Sequence, residues 1–346
     1  MSYYDKPPAK PRRALGWRIF APLLVFVLIM AAYSAYWLWA RAQLAKGIDD
    51  WIAAERARGM TVEFSDKRFG GYPFRFALTL DDPVYGDPRR SQRWQGETLQ
   101  LVMQPWNWSH VIARSPGENR IFDRGLEGWA RLGPKSAGSL SWSEAGIERV
   151  SIAVDDVAFD LAGALGGSAS AFEFHLRPYP GEPDTLQLET HWQSIRLDRS
   201  VPGLEPLGPS LGPSILRAEA TGALSALAIT PDLARWPASI LRRGGEIRVP
   251  QVLVNWGPLD AGARTTLRRN EAGDLAGALG VRIENADRLR AALEAEDRLD
   301  TDLERAISAL EAASTDGRFL DLSIRGDGLY LLGTQVIPID FATPLG

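Results

Sequence analysis

Apolar and polar residues alternate with a period of two along most of this chain. Phe74, Phe76, Leu78 and Leu80 are interleaved with Arg75, Ala77, Thr79 and Asp81. The same spacing carries Leu99, Leu101 and Met103, then Val150, Ile152 and Val154, then Phe172, Phe174 and Leu176. It returns at Leu186, Leu188, Thr190 and Trp192, at Val252, Val254 and Trp256, and at Leu275, Leu279, Val281 and Ile283. Leu320, Leu322 and Ile324 follow, and then the stretch from Leu329 to Ile337. Successive side chains of a strand point to opposite faces, so each run reads as a strand with one apolar and one polar face. That is the signature of antiparallel sheet with a single buried face; a parallel α/β sheet shows near-continuous apolar runs instead. Gly70-Gly71-Tyr72-Pro73, lying between Val62/Phe64 and the first long run, predicts a hairpin turn.

Helical spacing is scarce. Ala286 to Ser314 carries Leu289, Leu293, Leu299, Leu303, Ile307 and Leu310 near a 3.6-residue period, with a break expected near Asp300. Short helices are expected at Trp108–Ala113 and Asp232–Leu241. So little helix leaves most of the sheet uncovered, and the apolar faces must meet in a sandwich or line a curled, groove-like sheet. The predicted fold class is mainly β.

The N-terminal segment departs from this pattern. Ile19 to Trp39 is 21 residues without a charge, enough as a helix to span a hydrocarbon core of about 30 Å. Trp17 stands at one end, and Tyr33, Tyr36, Trp37 and Trp39 at the other, as in an interfacial aromatic belt. Leu44, Ile48, Trp51 and Ile52 continue one apolar stripe beyond it, up to a stop at Gly59. The expected organisation is a basic tail (1–18), a transmembrane helix (19–39), a stalk helix (40–59) and a β-rich domain (60–346). The Pro/Gly-rich stretch 199–214 is a candidate subdomain boundary. DLAGALG occurs at both Asp160–Gly166 and Asp274–Gly280, which raises a duplicated module against chance in an Ala/Gly/Leu-rich chain.

Charge sets the orientation. The tail holds Lys6, Lys10, Arg12, Arg13 and Arg18 against Asp5, in a chain whose net charge is −4. The positive-inside rule then places the N-terminus in the cytoplasm and the body in the periplasm, as a single-pass protein of the inner membrane. A signal peptide cleaved after Ala42 is the rival reading, but the apolar run is long for one. No basic block lies outside the tail, which argues against a nucleic-acid partner.

Candidate chemistry is sparse. The chain has no Cys and only three His, namely His110, His175 and His191. His175 and His191 fall on the polar sides of two neighbouring predicted strands. Asp81-Asp82 and Asp155-Asp156 read as strand-end turn chemistry rather than a catalytic dyad. Asp297, Asp300, Asp302 and Glu304 have the charge density of a calcium loop without its glycine, and read as a solvated helix face. No nucleophile elbow, P-loop or dinucleotide fingerprint is present. No catalytic, cofactor-binding or metal-binding residue is nominated, no cofactor is expected, and a non-enzyme is predicted.

A set of motifs in fixed order gives a family resemblance. They are Gly71-Tyr72-Pro73-Phe74-Arg75, Pro105-Trp106, Leu233 with Trp236, Gly244-Gly245 and Trp256-Gly257-Pro258-Leu259. Gly273, Gly277, Leu289, Leu332-Gly333 and Ile337-Pro338 complete them. With the preceding anchor, residues 16 to 340 resemble the alphaproteobacterial domain-of-unknown-function family 2125. That resemblance implies a membrane-anchored protein and supplies no catalytic residue. More loosely, an anchor followed by a long one-sided sheet looks like AsmA-type envelope proteins, a likeness of fold only. The expected function is binding or transfer of lipid or another hydrophobe in envelope maintenance. A structural or interaction protein with an envelope partner is the alternative.

Overall fold

A computed structural model describes residues 16–144, 146–163, 165–182, 184–199, 208–225, 241, 244–271, 273–314, 317–326, 328–331 and 333–338. A single helix, α1 (Gly16–Ala57), precedes the strands. It runs without interruption from the apolar span into the predicted stalk. It ends where Gly59 adopts φ +84, with Gly59 N–H donating to Arg56 O and Met60 N–H to Glu55 O. This is a Schellman arrangement, which needs a left-handed residue that only glycine adopts without strain.

Among the described residues twenty antiparallel strands follow in one sheet: β1 (Thr61–Glu63), β2 (Asp66–Gly70), β3 (Phe76–Asp81), β4 (Val84–Asp87), β5 (Gln92–Gly96), β6 (Thr98–Gln104), β7 (Asn107–Arg114), β8 (Gly117–Asp123), β9 (Leu126–Leu132) and β10 (Ala137–Ser143). The sheet continues with β11 (Gly146–Leu161), β12 (Leu165–Pro178), β13 (Thr185–Leu197), β14 (Ser214–Ser225), β15 (Ile247–Trp256), β16 (Leu259–Arg269) and β17 (Leu275–Ile283). It finishes with β18 (Leu320–Arg325), β19 (Gly328–Leu331) and β20 (Thr334–Pro338). Three further α-helices are described, the single turn α2 (Gly208–Leu211), α3 (Ala286–Ala295) and α4 (Thr301–Ser314), with a short 3-10 turn at Pro88–Arg90.

The pairing reduces to a simple plan. The first ten strands are five long passes, at 61–70, 76–87, 92–104, 107–123 and 126–143, each cut once near its middle. β1 pairs β4 and β2 pairs β3 in one shared register, with Glu63 opposite Val84 and Asp66 opposite Asp81. The next pair of passes keeps register across its cut too, with Asp81 opposite Thr98 and Val84 opposite Gln95. The uncut β11 pairs with β10 along one half and β9 along the other. From β11 to β20 each strand pairs with the next in sequence. The chain is therefore one up-and-down meander with a seam across its first half. The pass 61–70 and β20 are its two margins and do not pair with each other, so the sheet is open.

Backbone bonds stitch the seam: Ser65 N–H to Asp81 O, Asp82 N–H to Glu97 O, Gly96 N–H to Pro83 O and Gly133 N–H to Asp155 O, all 2.9–3.0 Å. Polar side chains are buried in it. Asn119 accepts from Ser115 Oγ at 2.7 Å and from Trp94 Nε1 at 3.3 Å, and donates to Ser115 O and Gly117 O. Left-handed residues lie on the same line: Asp82 (φ 48), Asp156 (φ 46) and Ser194 (φ 49). Such a residue acts like a bulge, bending the strand and exchanging which parity faces inward. In β11 the inward series changes at Asp156, from Val150, Ile152 and Val154 to Val157, Phe159 and Leu161. In β13 it changes at Ser194, from Leu188 and Trp192 to Ile195 and Leu197. One sheet face thereby stays apolar across the seam, and the curled-sheet alternative among the predicted arrangements is the one formed.

Several expectations are corrected. Trp108–Ala113 lies in β7 and is strand, not helix. Its Val111 faces inward while Ile112 sits opposite Val102, which is opposite Ala77, on the other face; apolar contacts on both faces imitate helical spacing. Asp155-Asp156 is inside β11 rather than at a strand end. The first DLAGALG spans the tip of the β11–β12 hairpin, whereas the second is the start of β17, so the two are not copies of one module. The break near Asp300 is present between α3 and α4. Of the predicted helix Asp232–Leu241, all but Leu241 lies outside the described residues.

Candidate functional site

Among the described residues, helices pack closely on the sheet at its two sides. At one margin α1 lies along the first hairpin. Trp37 stacks on Phe76 (5.4 Å between ring centroids) and Trp51 on Tyr85 (6.1 Å). Phe76 is 2% exposed and forms a small core with Trp37, Ala40 and Leu44. Lys67 pairs with Asp49, and Arg56 donates to Val62 O at 2.6 Å. Glu55, buried, accepts from Arg58 at 2.6 Å and from the Tyr85 hydroxyl at 3.3 Å. Burial, with the Glu55 carboxylate beside it, pushes the Tyr85 hydroxyl above its ordinary pKa.

Toward the other side α2, α3 and α4 close one end of the face. Leu289, Leu293 and Ile307 pack with Ile215, Trp256 and Ile283. Each such fully buried side chain contributes roughly 1.5–3 kcal/mol. Trp256 Nε1 donates to Gly212 O at 2.7 Å. Arg290 ties the two longer helices together by bonds to Glu304 at 3.2 Å and Glu311 at 2.6 Å. Asp300 caps α4 by accepting from Leu303 N–H at 2.7 Å. Of the carboxylates considered for calcium, Asp300 serves as a helix cap, and Asp302 and Glu304 pair with Arg305 and Arg290.

Between these two covers the inner face carries an open cavity of about 470 Å³. Its floor is β11 (Val154, Val157, Phe159, Leu161) and β12 (Leu165, Phe172). Ala130 and Leu132 of β9 form one wall; Trp192, Ile195 and Leu197 of β13, with Ile215 and Ala218 of β14, form the other. Every lining side chain is apolar. Trp192 meets Phe172 at 4.2 Å and Phe159 at 6.3 Å, setting ring edges and faces toward the space. A concave, apolar, preformed space of this size is the usual form of a site for a hydrophobic small molecule. The seam builds it: without the exchange of parity at Asp156 and Ser194, the residues beyond them would face outward.

Periodicity alone had identified Val154, Phe172 and Trp192, though not as a site. It missed Val157, Phe159, Ile195 and Leu197, because the alternation appears to stop at Asp155-Asp156 and at Ser194.

The histidines lie elsewhere. In the β12–β13 register Glu173 faces His191 and His175 faces Glu189, so the two His are diagonal neighbours on the outer face. His191 Nδ1 pairs with Glu219, and its Nε2 lies 2.7 Å from Gln193 Nε2. His175 lies 3.7 Å from Glu173. Among the described residues no group of three or more His, Asp or Glu is placed to hold a metal ion. At the rim of the cavity Arg199 donates to Asp160 at 2.7 Å, as does Gly163 N–H. The Arg199 hydrogen bond, with that of Gly163, holds the Asp160 carboxyl below its usual range.

No curated protein and no solved structure matches this chain. A family described as an uncharacterised protein conserved in bacteria, DUF2125, matches residues 37–339, from the contact of α1 with the sheet to the last strand. The chain belongs to the DUF2125 family.

Proposed function

We propose that this protein is a membrane-anchored binding or transfer module for a hydrophobic molecule, most simply an acyl lipid, held on the periplasmic side of the inner membrane. The single observation that carries this reading is the wholly apolar, open cavity on the inner face of the sheet. Among the described residues, close helix–sheet packing falls on β1 at one margin and on β16, β17 and β18 toward the other. An open apolar surface of this kind is unfavourable in water and becomes favourable when a hydrophobe fills it, at about 0.8 kcal/mol per buried methylene. The anchor reading is supported by Phe20–Ala57, whose helix is long and apolar enough to cross a bilayer, and by exposed Leu23, Leu24, Phe26 and Leu28. The basic tail supports the orientation. The proposed role involves capture and release, with no bond made or broken.

The test is an equilibrium titration of the full chain in mild detergent with a fluorescent polyunsaturated fatty acid. Saturable binding, competed by phospholipid, is expected. Partition no greater than that of an unrelated single-span protein would overturn the reading.

A further inference from the structure

Two exposed aromatic turns sit beside the apolar span. The turn between β2 and β3 carries Tyr72 and Phe74, and the turn between β6 and β7 carries Trp106; Phe74 is 73% exposed and Trp106 62%. Both are fixed to α1 at defined heights. Tyr33 donates to Pro73 O, Ser34 Oγ lies 2.7 Å from the Tyr72 hydroxyl, and Tyr36 donates to Pro105 O at 2.9 Å. Ring contacts add to the hold on the first turn: Trp37 meets Tyr72 edge-on at 5.2 Å and stacks on Phe76, at the start of β3, at 5.4 Å.

Those heights fall inside the span. The helix residues before the first contact with the sheet, 19–32, cover only about 21 Å at 1.5 Å per residue. A hydrocarbon core needs about 30 Å. If the core begins after Arg18, it extends to Trp39, which is exposed together with Leu38. Tyr33 then lies roughly 9 Å and Tyr36 roughly 5 Å below its outer boundary. The turns bonded to these residues lie at the same depths. Large apolar side chains such as Phe74 and Trp106 are unfavourable in water and favourable in hydrocarbon, with Trp and Tyr preferred toward its boundary. Arg75, exposed at the first turn, is of the charge that suits a lipid phosphate.

We infer that the Tyr72–Phe74 and Trp106 turns are inserted into the outer half of the bilayer and seat the end of the sheet on the lipid surface. This rests on the reading of α1 as a membrane anchor and adds that the domain itself touches lipid. The seat also bears on the cavity. β6 reaches the second turn through Leu101 and Met103, in register with Leu78 and Phe76 on the same inner face as the cavity, so that face begins at the bilayer rather than above it.

The chain has no cysteine, so single labels can be placed without background. The experiment uses the full chain in vesicles of phosphatidylethanolamine and phosphatidylglycerol, with a nitrobenzoxadiazole label at Phe74→Cys or Trp106→Cys and spin-labelled lipid as quencher. Leu24→Cys in the span is the positive reference. Leu216→Cys, 70% exposed at the start of β14, is the negative one. Quenching at 74 and 106 at least threefold above that at 216, approaching that at 24, is expected. Quenching at 24 with 74 and 106 no different from 216 would overturn the inference while leaving the anchor intact. No quenching at 24 would overturn both. Shielding of 74 and 106 from lipid and from aqueous quencher alike would show a protein partner on the turns and also overturn it.

Discussion

Ala218→Leu is the sharpest test of the cavity. Ala218 lies on β14 opposite Trp192, in the cavity wall, with its methyl group facing the space. Leucine adds three carbons there. Each displaces about one methylene of a bound chain, worth about 0.8 kcal/mol. The loss is then about 2.4 kcal/mol, or roughly a 50-fold weaker Kd at 1.4 kcal/mol per decade. Stability should hardly change, because the new carbons enter open space. In a closed, well-packed core the same insertion costs about 1–3 kcal/mol. Two readings on one variant therefore decide the matter: fatty-acid titration for affinity and urea denaturation of the same sample for stability. Weaker binding at unchanged stability is expected. Unchanged affinity would place any ligand elsewhere, and a stability loss of the overpacking size would mean that the cavity is not open.

Three other outcomes follow from the packing and the seam. Asn119→Ala removes the group that satisfies Ser115 and Trp94 inside the seam; a loss of about 1–3 kcal/mol is expected in urea denaturation, and no loss would mean that the seam is solvated. In Gly257→Ala, at φ +54, the added carbon would meet Leu211 O at 2.1 Å. Left-handed strain of about 1–3 kcal/mol adds to displacement of α2, so a clear fall in the denaturation midpoint is expected, and an unchanged midpoint would contradict the contact. The folded pKa of Asp160 lies below its ordinary 3.8. The Asp160–Arg199 pair therefore stabilises above pH 3.8 and is lost as pH falls through the lowered folded value. Asp160→Asn should flatten stability against pH below 3.8, and an acid limb identical to that of the parent would refute the assignment.

The strands were legible where one parity holds throughout. Phe76, Leu78 and Leu80 face one side of β3, and Leu275, Leu279 and Ile283 one side of β17, so periodicity finds them directly. It fails where backbone conformation exchanges the faces. Nothing in the residue types of Asp156 or Ser194 distinguishes a left-handed residue within a strand from a strand end, since Asp and Ser serve both. The cavity depends on that exchange, and Val157, Phe159, Leu161, Ile195 and Leu197 were invisible for that reason. β7 failed for a different cause, because apolar contacts on both faces erase the alternation. The continuity of α1 was legible as an apolar stripe running on from the span. Its fit against Phe76 and Tyr85 was not, because those contacts join residues far apart in sequence.

The most direct measurement is native mass spectrometry of the full chain released from membranes in mild detergent. A species heavier than the chain by the mass of one acyl lipid is expected, which disappears in Ala218→Leu and persists in Leu216→Ala, at a solvent-exposed position of β14. Only the bare chain mass, under conditions that preserve lipid on a known lipid-binding control, would contradict it.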